Sequence, residues 1–169
     1  MNLEELEPNI LIKKIDLNRR VREIKCPISY SYIALVDGGL VTDIIGNPKI
    51  ESIWTINNKN FEIPWGVGDL ELGKMKFGMN GGLILKIENF ITSMIKDLNN
   101  KIEISKRDIQ VLVNEIIKEV WIDVARNLKI EILEKNNIQN LLESIQIRDK
   151  LLDKNLGLQK ISVLGLIKY

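Results

Sequence analysis

The sequence predicts an α+β fold, in which a mostly antiparallel sheet of short strands precedes about three helices and a C-terminal strand. Between Asn9 and Ile87, apolar residues form short runs that glycine, proline and asparagine interrupt. From about Asn89 the apolar spacing becomes helical, and over Leu158–Lys168 it returns to that of a strand. Because strands and helices are segregated along the chain, we expect the last strand to return to the N-terminal sheet.

The first strands are predicted on either side of an Asp-Gly turn. The run Ile28–Val36 is rich in β-branched and aromatic residues, and a second apolar run covers Leu40–Ile45. Asp37-Gly38 lies between them and predicts a type I′ hairpin, because both central residues of that turn have positive φ. A further strand is predicted at Glu51–Ile56, and Asn9–Ile15 is either a strand or a short lead-in.

Glycine and proline divide the next stretch into short pieces. A strand at Asn60–Ile63 is expected to end at Pro64, and Trp65–Asp69 is expected to be a loop because it contains two glycines and an aspartate. Asn80-Gly81-Gly82 is a second signal for a tight turn. The strands predicted on either side of that turn are Lys74–Met79 and Leu83–Ile87.

Three helices are predicted in the second half of the chain. The first covers Asn89–Asn99, the second Ser105–Leu128 and the third Ile138–Asn155. Apolar residues of the second helix cover about half of its circumference, so we expect it to pack on more than one neighbour. They are Ile109, Leu112, Val113, Ile116, Ile117, Val120, Trp121 and Val124.

Length and composition indicate a single globular domain over residues 1–169, with residues 1–20 as a candidate flexible or basic lead-in. A chain of this length buries roughly two thirds of its unfolded surface. The hydrophobic fraction of 45% is ordinary for a protein with a packed core. Because 24 basic residues nearly balance 23 acidic ones, we expect no nucleic-acid partner.

The residue types exclude several catalytic chemistries. The chain contains no histidine, so Ser-His and Cys-His nucleophile pairs cannot form within it. One cysteine cannot supply the soft ligands of a zinc site. The glycines match neither the Walker spacing nor the dinucleotide-binding spacing. We therefore expect no enzyme, and no catalytic, cofactor-binding or metal-binding residues.

Asp69 and Glu71 are the remaining candidates for catalysis. Two carboxylates beside glycines are a pattern that a hydrolase or a hard-metal site can use. The simpler interpretation is that both acids solvate an exposed loop, since acids at positions i and i+2 are common in a charged chain. A carboxylate-dependent hydrolase is therefore the less favoured alternative.

A basic segment precedes the first clear strand. Apolar residues are interleaved with the basic ones, which is typical of segments that contact membrane surfaces weakly or contact RNA. A solvated face of a strand or helix explains the same pattern. The basic residues are Lys13, Lys14, Arg19, Arg20, Arg22 and Lys25.

Cys26 is the single cysteine, so it cannot form an internal disulfide. We interpret it as a small hydrophobic residue rather than a reactive thiol. The lone cysteine, the absence of a long apolar run and the absence of a signal sequence predict a cytoplasmic location, peripheral at most at the inner face of the membrane.

Several short motifs are shared with a known superfamily. Ala34–Pro48 contains an Asp-Gly hairpin and a Gly-x-Pro turn, and it is followed by Trp65-Gly66 and by Asp69–Gly73, an Asp-x-Glu-Leu-Gly element. Gly157-Leu158 precedes the terminal strand. This order resembles the SPFH superfamily (stomatin, prohibitin, flotillin and band 7), especially its soluble bacterial, virion core protein-like subgroup. The resemblance spans roughly residues 21–167.

The resemblance implies a non-catalytic scaffold or oligomerisation domain, with no active-site residues to transfer. The hydrophobic membrane hairpin and the long coiled coil of larger members have no counterpart in this sequence. We therefore expect self-association or binding of another protein. A phage- or plasmid-associated structural or accessory protein is the alternative that the subgroup implies.

Overall fold

A computed structural model describes residues 1–88, 102–127, 134–143 and 145–169, and these residues confirm the mixed α+β class. They contain eight strands and three helices. The strands are β1 Ile10–Arg20, β2 Tyr30–Val36, β3 Gly39–Val41, β4 Lys49–Asn57, β5 Phe61–Leu72, β6 Met75–Ile87, β7 Glu103–Ser105 and β8 Leu156–Lys168. The helices are α1 Lys106–Ala125, α2 Lys135–Leu142 and α3 Ile145–Leu152.

The chain divides into two compact units. One contains Met1–Lys59 and residues 102–106, and the other contains Asn60–Glu88 with residues 107–127, 134–143 and 145–169. The prediction of one domain over residues 1–169 stays a prediction. The helix predicted at Asn89–Asn99 lies outside the described residues.

The N-terminal unit is built on a five-stranded antiparallel sheet in the order β3-β2-β4-β1-β7. The predicted hairpin at Asp37-Gly38 is confirmed: Val36 pairs with Gly39, and the two residues between them have φ of 50° and 76°. Two consecutive residues with positive φ form the type I′ turn, whose twist matches that of the flanking strands.

Residues 1–25, which include the candidate lead-in, belong to this sheet and its core. β1 pairs with β4 on one side and with β7 on the other. Its first half matches the predicted strand Asn9–Ile15. Leu3 and Val21 are buried against a core cluster that also contains Ala34, Ile50 and Ile53.

The second unit is built on a three-stranded antiparallel sheet in the order β5-β6-β8. β5 and β6 form a hairpin in which Leu72 pairs with Met75, and Gly73 at the first turn position has φ of 62°. β8 returns to strands of the first half, as predicted, because it pairs with β6 along most of its length. Those strands form two sheets, however, whereas the sequence predicted one.

The predicted strand end at Pro64 and the predicted loop at Trp65–Asp69 are wrong, because β5 continues through both. Proline lacks an N–H, but β5 is an edge strand that pairs with β6 alone among the described strands, so an outward-facing proline costs no sheet hydrogen bond. Alternate residues of β5 remain buried through the glycines, and Gly66 and Gly68 lie on the exposed side.

The predicted turn at Asn80-Gly81 is also wrong, because β6 is one continuous strand. Gly81 lies on the buried side of β6, where β8 and the indole of Trp65 approach closely. A Cβ atom at this position would overlap the carbonyl oxygen of Ser162 and lie 2.8 Å from Trp65 Nε1. This glycine is therefore required by packing rather than by a turn.

α1 agrees with the predicted second helix and covers the buried face of this sheet. Six of its apolar residues are buried, while Leu112 and Val124 are half-buried. Trp121 packs edge-to-face on Phe77 with ring centroids 5.0 Å apart, and its Nε1 donates to the Glu71 carbonyl at 3.3 Å. The buried six are Ile109, Val113, Ile116, Ile117, Val120 and Trp121.

The single helix predicted at Ile138–Asn155 is wrong, since the structure has two helices, α2 and α3, over this range. Glu143 caps the end of α2, and its N–H donates to the carbonyls of Gln139 and Leu141. Both helices contact β8. Their buried side chains include Ile138, Leu142, Ile147 and Leu151.

Polar side chains from the helices occupy both edges of the three-stranded sheet. On β5, the Gly66 N–H donates to Oδ1 of Asn114 at 3.0 Å. On β8, the Val163 N–H donates to Oε1 of Gln139 at 3.4 Å, and Arg148 donates to the Leu158 carbonyl at 2.9 Å. These contacts satisfy edge groups that would otherwise attract another strand.

The adjacent glycines of β6 provide a matched test of this packing. Gly81→Ala should destabilise the protein by about 2 kcal/mol or more, because the added methyl group displaces β8. Gly82→Ala should change the free energy of unfolding by no more than about 0.5 kcal/mol, since its Cβ would meet only Ser162 Oγ at 3.5 Å. Urea denaturation measures both, and equal effects would contradict the assigned close approach.

Candidate functional site

Asp69 lies at a bulge of β5 and contacts Tyr169, the residue that follows β8. The pairing register shifts between Val67 and Leu70, and Asp69 has φ of 52°. Its backbone N–H donates to the Tyr169 hydroxyl oxygen at 3.0 Å, and that hydroxyl donates to Asp69 Oδ1 at 3.4 Å. Aspartate tolerates this left-handed conformation better than most residues. Asp69 therefore has a structural role of its own.

Glu71 faces Lys76 across the β5–β6 hairpin. The two residues are directly paired in register, and their charged atoms are 3.6 Å apart in an exposed ion pair. Among the residues that the structure describes, no three His, Cys, Asp or Glu side chains are grouped to hold a metal ion. The hydrolase alternative stays a prediction, and it gains no support from these two carboxylates.

The basic residues predicted to contact a membrane weakly are distributed over β1 and the segment after it. Lys13 lies 3.3 Å from Glu103, and Lys25 lies 3.7 Å from Glu23. Arg20 donates to the Asn47 carbonyl at 2.9 Å, whereas Arg19 and Arg22 are exposed. Much of the positive charge is thus offset locally, and the membrane contact stays a prediction.

Lys14 belongs to a small polar network on β1 and β4. Its ammonium lies 3.6 Å from Asp16 and 5.4 Å from the ring centroid of Trp54. The Ser52 hydroxyl donates to Asp16 Oδ1 at 2.7 Å. This hydrogen bond, together with the Lys14 charge, holds the pKa of Asp16 below its ordinary value.

Cys26 is half-buried and packs against the core cluster of the N-terminal unit. Burial raises the pKa of its thiol, which disfavours the reactive thiolate.

In the described parts of the chain, no helix combines the length and apolar character needed to cross a membrane.

The surface that the sequence did not predict is one face of the three-stranded sheet, which we name the outer face. α1 covers the opposite side, whereas the residues of the outer face are exposed or half-buried. Strand register arranges them in rows across β5, β6 and β8. The rows are Glu62–Ile84–Lys160, then Pro64–Gly82–Ser162, then Gly66–Asn80–Gly165.

A groove of about 470 Å³ crosses the outer face. Gly82 and Ser162 form its floor because neither has a bulky side chain, and Pro64 and Leu164 line it. Glu62 and Lys160 also line the groove, on β5 and β8 respectively. One acidic and one basic group therefore lie in the same row, on opposite sides of β6.

Large apolar side chains are exposed along the end of β8. Leu164 is 67% exposed, Ile167 62% and Tyr169 63%. Leu164 is the extra residue of a bulge, since Val163 pairs with Gly81 and Gly165 with Asn80. Clustered exposed apolar residues of this kind mark interaction surfaces.

A sequence signal for this face does exist. On β5, apolar residues occupy every second position through the predicted loop, as Ile63, Trp65 and Val67 show. On β6, Met79 and Leu83 keep the same spacing on either side of the buried Gly81. Counting that alternation across the glycines, rather than ending the strand at each one, predicts two long strands with one apolar face.

Substitution at Asp69 tests its structural role. Asp69→Ala should lower the free energy of unfolding by about 1–2 kcal/mol, because it loses the Tyr169 contact and places alanine in a left-handed conformation. Asp69→Asn keeps an acceptor and tolerates that conformation, so its effect should stay within about 0.5 kcal/mol. Urea denaturation compares them, and indistinguishable variants would contradict this role.

Asp16 should contribute a pH-dependent part of the stability. Its folded-state pKa is lowered, so its contribution is present above the pKa of the unfolded chain, about 3.9, and is lost as pH falls through the folded value. Wild type should therefore exceed Asp16→Asn in stability at neutral pH by more than it does in acid. Ser52→Ala should reduce that pH-dependent difference, and a difference that is constant with pH would contradict the assignment.

Comparison with known proteins adds no assignment to this geometry. No protein-family model matches the chain, and a search of curated proteins gives no significant match. The resemblance to the SPFH superfamily stays a prediction.

Proposed function

We propose that this protein is a non-catalytic scaffold of the SPFH type, which self-associates or binds another protein. The observation that carries the proposal is the outer face of the β5–β6–β8 sheet. It combines the exposed side chains of Leu164, Ile167 and Tyr169 with a groove of about 470 Å³. Exposing apolar side chains to water is unfavourable, and association is one way in which proteins bury them.

The chemistry of the chain favours binding over catalysis. The sequence lacks histidine, and its single cysteine is half-buried with a raised thiol pKa. Asp69 and Glu71, the best candidates for acid–base work, are engaged by Tyr169 and Lys76. The two acids of the candidate catalytic pattern thus contact neighbours within the same sheet.

The broad apolar side of α1, which the sequence predicted to pack on more than one neighbour, is not the surface proposed here. Its central residues are buried within their own unit, as the packing of Trp121 on Phe77 illustrates. The sheet face is a better candidate because its apolar residues are exposed. The helices also leave it open while occupying both sheet edges.

Sedimentation velocity and light scattering over a wide concentration range test the proposal. We expect the mean mass of the full chain to rise with concentration, or a specific protein to be retained reproducibly by the immobilised chain. A monomer at every concentration that retains no protein would overturn the proposal.

A further inference from the structure

If the protein is the scaffold proposed above, the charges on the outer face indicate which molecule binds there. The row Glu62–Ile84–Lys160 carries a negative charge on β5 and a positive charge on β8, with an apolar residue on β6 between them. A surface with one charge of each sign at matching positions about a central strand is complementary to itself. Symmetric dimers use this kind of surface, because each contact then occurs twice.

We propose that a second copy of this chain packs on the outer face, related to the first by a two-fold axis that passes over the middle of β6 and is inclined to it by about 15°, half of the usual crossing angle of packed sheets. Such an axis places β5 of one copy over β8 of the other. Glu62 then lies opposite the partner's Lys160, and Lys160 opposite the partner's Glu62. Ile84 lies close to the axis and meets its own copy.

The neighbouring rows fit the same arrangement. Pro64 on β5 lies opposite Ser162 on β8 of the second copy, beside the exposed Leu164 of the bulge, so the proline and the leucine become neighbours twice. Asn80 also lies close to the axis, and a primary amide contains both a donor and an acceptor, so two copies can pair reciprocally. Glycines at positions 66 and 82 keep the surface low enough for two sheets to approach to about 10 Å.

A two-fold axis perpendicular to the strands could also lie in the interface, but the charges favour the axis near β6. An axis across the strands would place β5 over β5 and leave Glu62 away from Lys160. Lys76 and Lys86 also lie on β6, towards its two ends. Lysine does not meet lysine across the interface, because packed sheets cross at about 30° and the ends of the two β6 strands therefore diverge. Lys76 is in addition paired with Glu71 at 3.6 Å.

Reciprocal charge reversal in the full chain tests the dimer. Glu62→Lys places lysine opposite lysine twice, and Lys160→Glu places glutamate opposite glutamate twice. Each variant alone should dissociate at concentrations roughly ten-fold or more above those for wild type. An equimolar mixture of the two variants should dimerise again, because every contact in the mixed dimer joins lysine to glutamate.

Two further variants separate this face from the rest of the surface. Leu164→Asp should weaken the dimer, whereas Ile45→Asp should leave it unchanged, since Ile45 is 92% exposed in the other unit. Circular dichroism and urea denaturation confirm that each variant is folded. Sedimentation equilibrium of single variants and mixtures supplies the dissociation constants.

The outcomes distinguish this inference from the proposed function. Self-association that is insensitive to all three outer-face variants, or a mixture that fails to recover, would overturn the two-fold arrangement and leave the scaffold function standing. A monomer that retains a different protein would also overturn it. A monomer that retains none would overturn both.

Discussion

The second unit depends on the pairing of β6 with a strand on each side. β6 is the central strand, and at Gly81 the backbone of β8 and the indole of Trp65 come so close that only a glycine fits. This close approach lets the sheet bury Phe77 under Trp121 and bring β8 alongside strands that precede it by about half the chain. The helices pack on the sheet of which β6 is the central strand.

Within the described residues of this unit, the helices contact the opposite face and both edges of the sheet, and the side chains of the outer face are exposed or half-buried. Asn114, Gln139 and Arg148 satisfy edge groups on β5 and β8, which disfavours association by strand addition. The association that we propose therefore uses side chains of the outer face. Contacts between side chains can be more selective than backbone pairing, because they depend on residue identity.

The acidic residues show how one motif supports two opposite interpretations. Asp69 and Glu71 beside glycines suggest a ligand site when only the sequence is known. In the structure, Asp69 occupies a bulge and contacts the hydroxyl of Tyr169, while Glu71 pairs with Lys76. Gly66 and Gly68 belong to a strand rather than to a loop, so the described residues form no glycine loop around the carboxylates. The same sheet instead offers its outer face, where Leu164 is exposed because of a second bulge.

The sequence by itself determined what depends on neighbours in the chain. The Asp37-Gly38 turn was predictable because positive φ at two adjacent positions is a local requirement, and α1 was predictable because its apolar spacing repeats every three to four residues. Only the tertiary structure decided that β5 runs through Pro64, since that depends on β5 being an edge strand. It also decided that Gly81 lies inside β6, because the carbonyl of Ser162, about eighty residues away, occupies the space of a side chain. The alternation of apolar residues could have indicated the two long strands, but the order of β5, β6 and β8 that forms the outer face depends on contacts between distant parts of the chain.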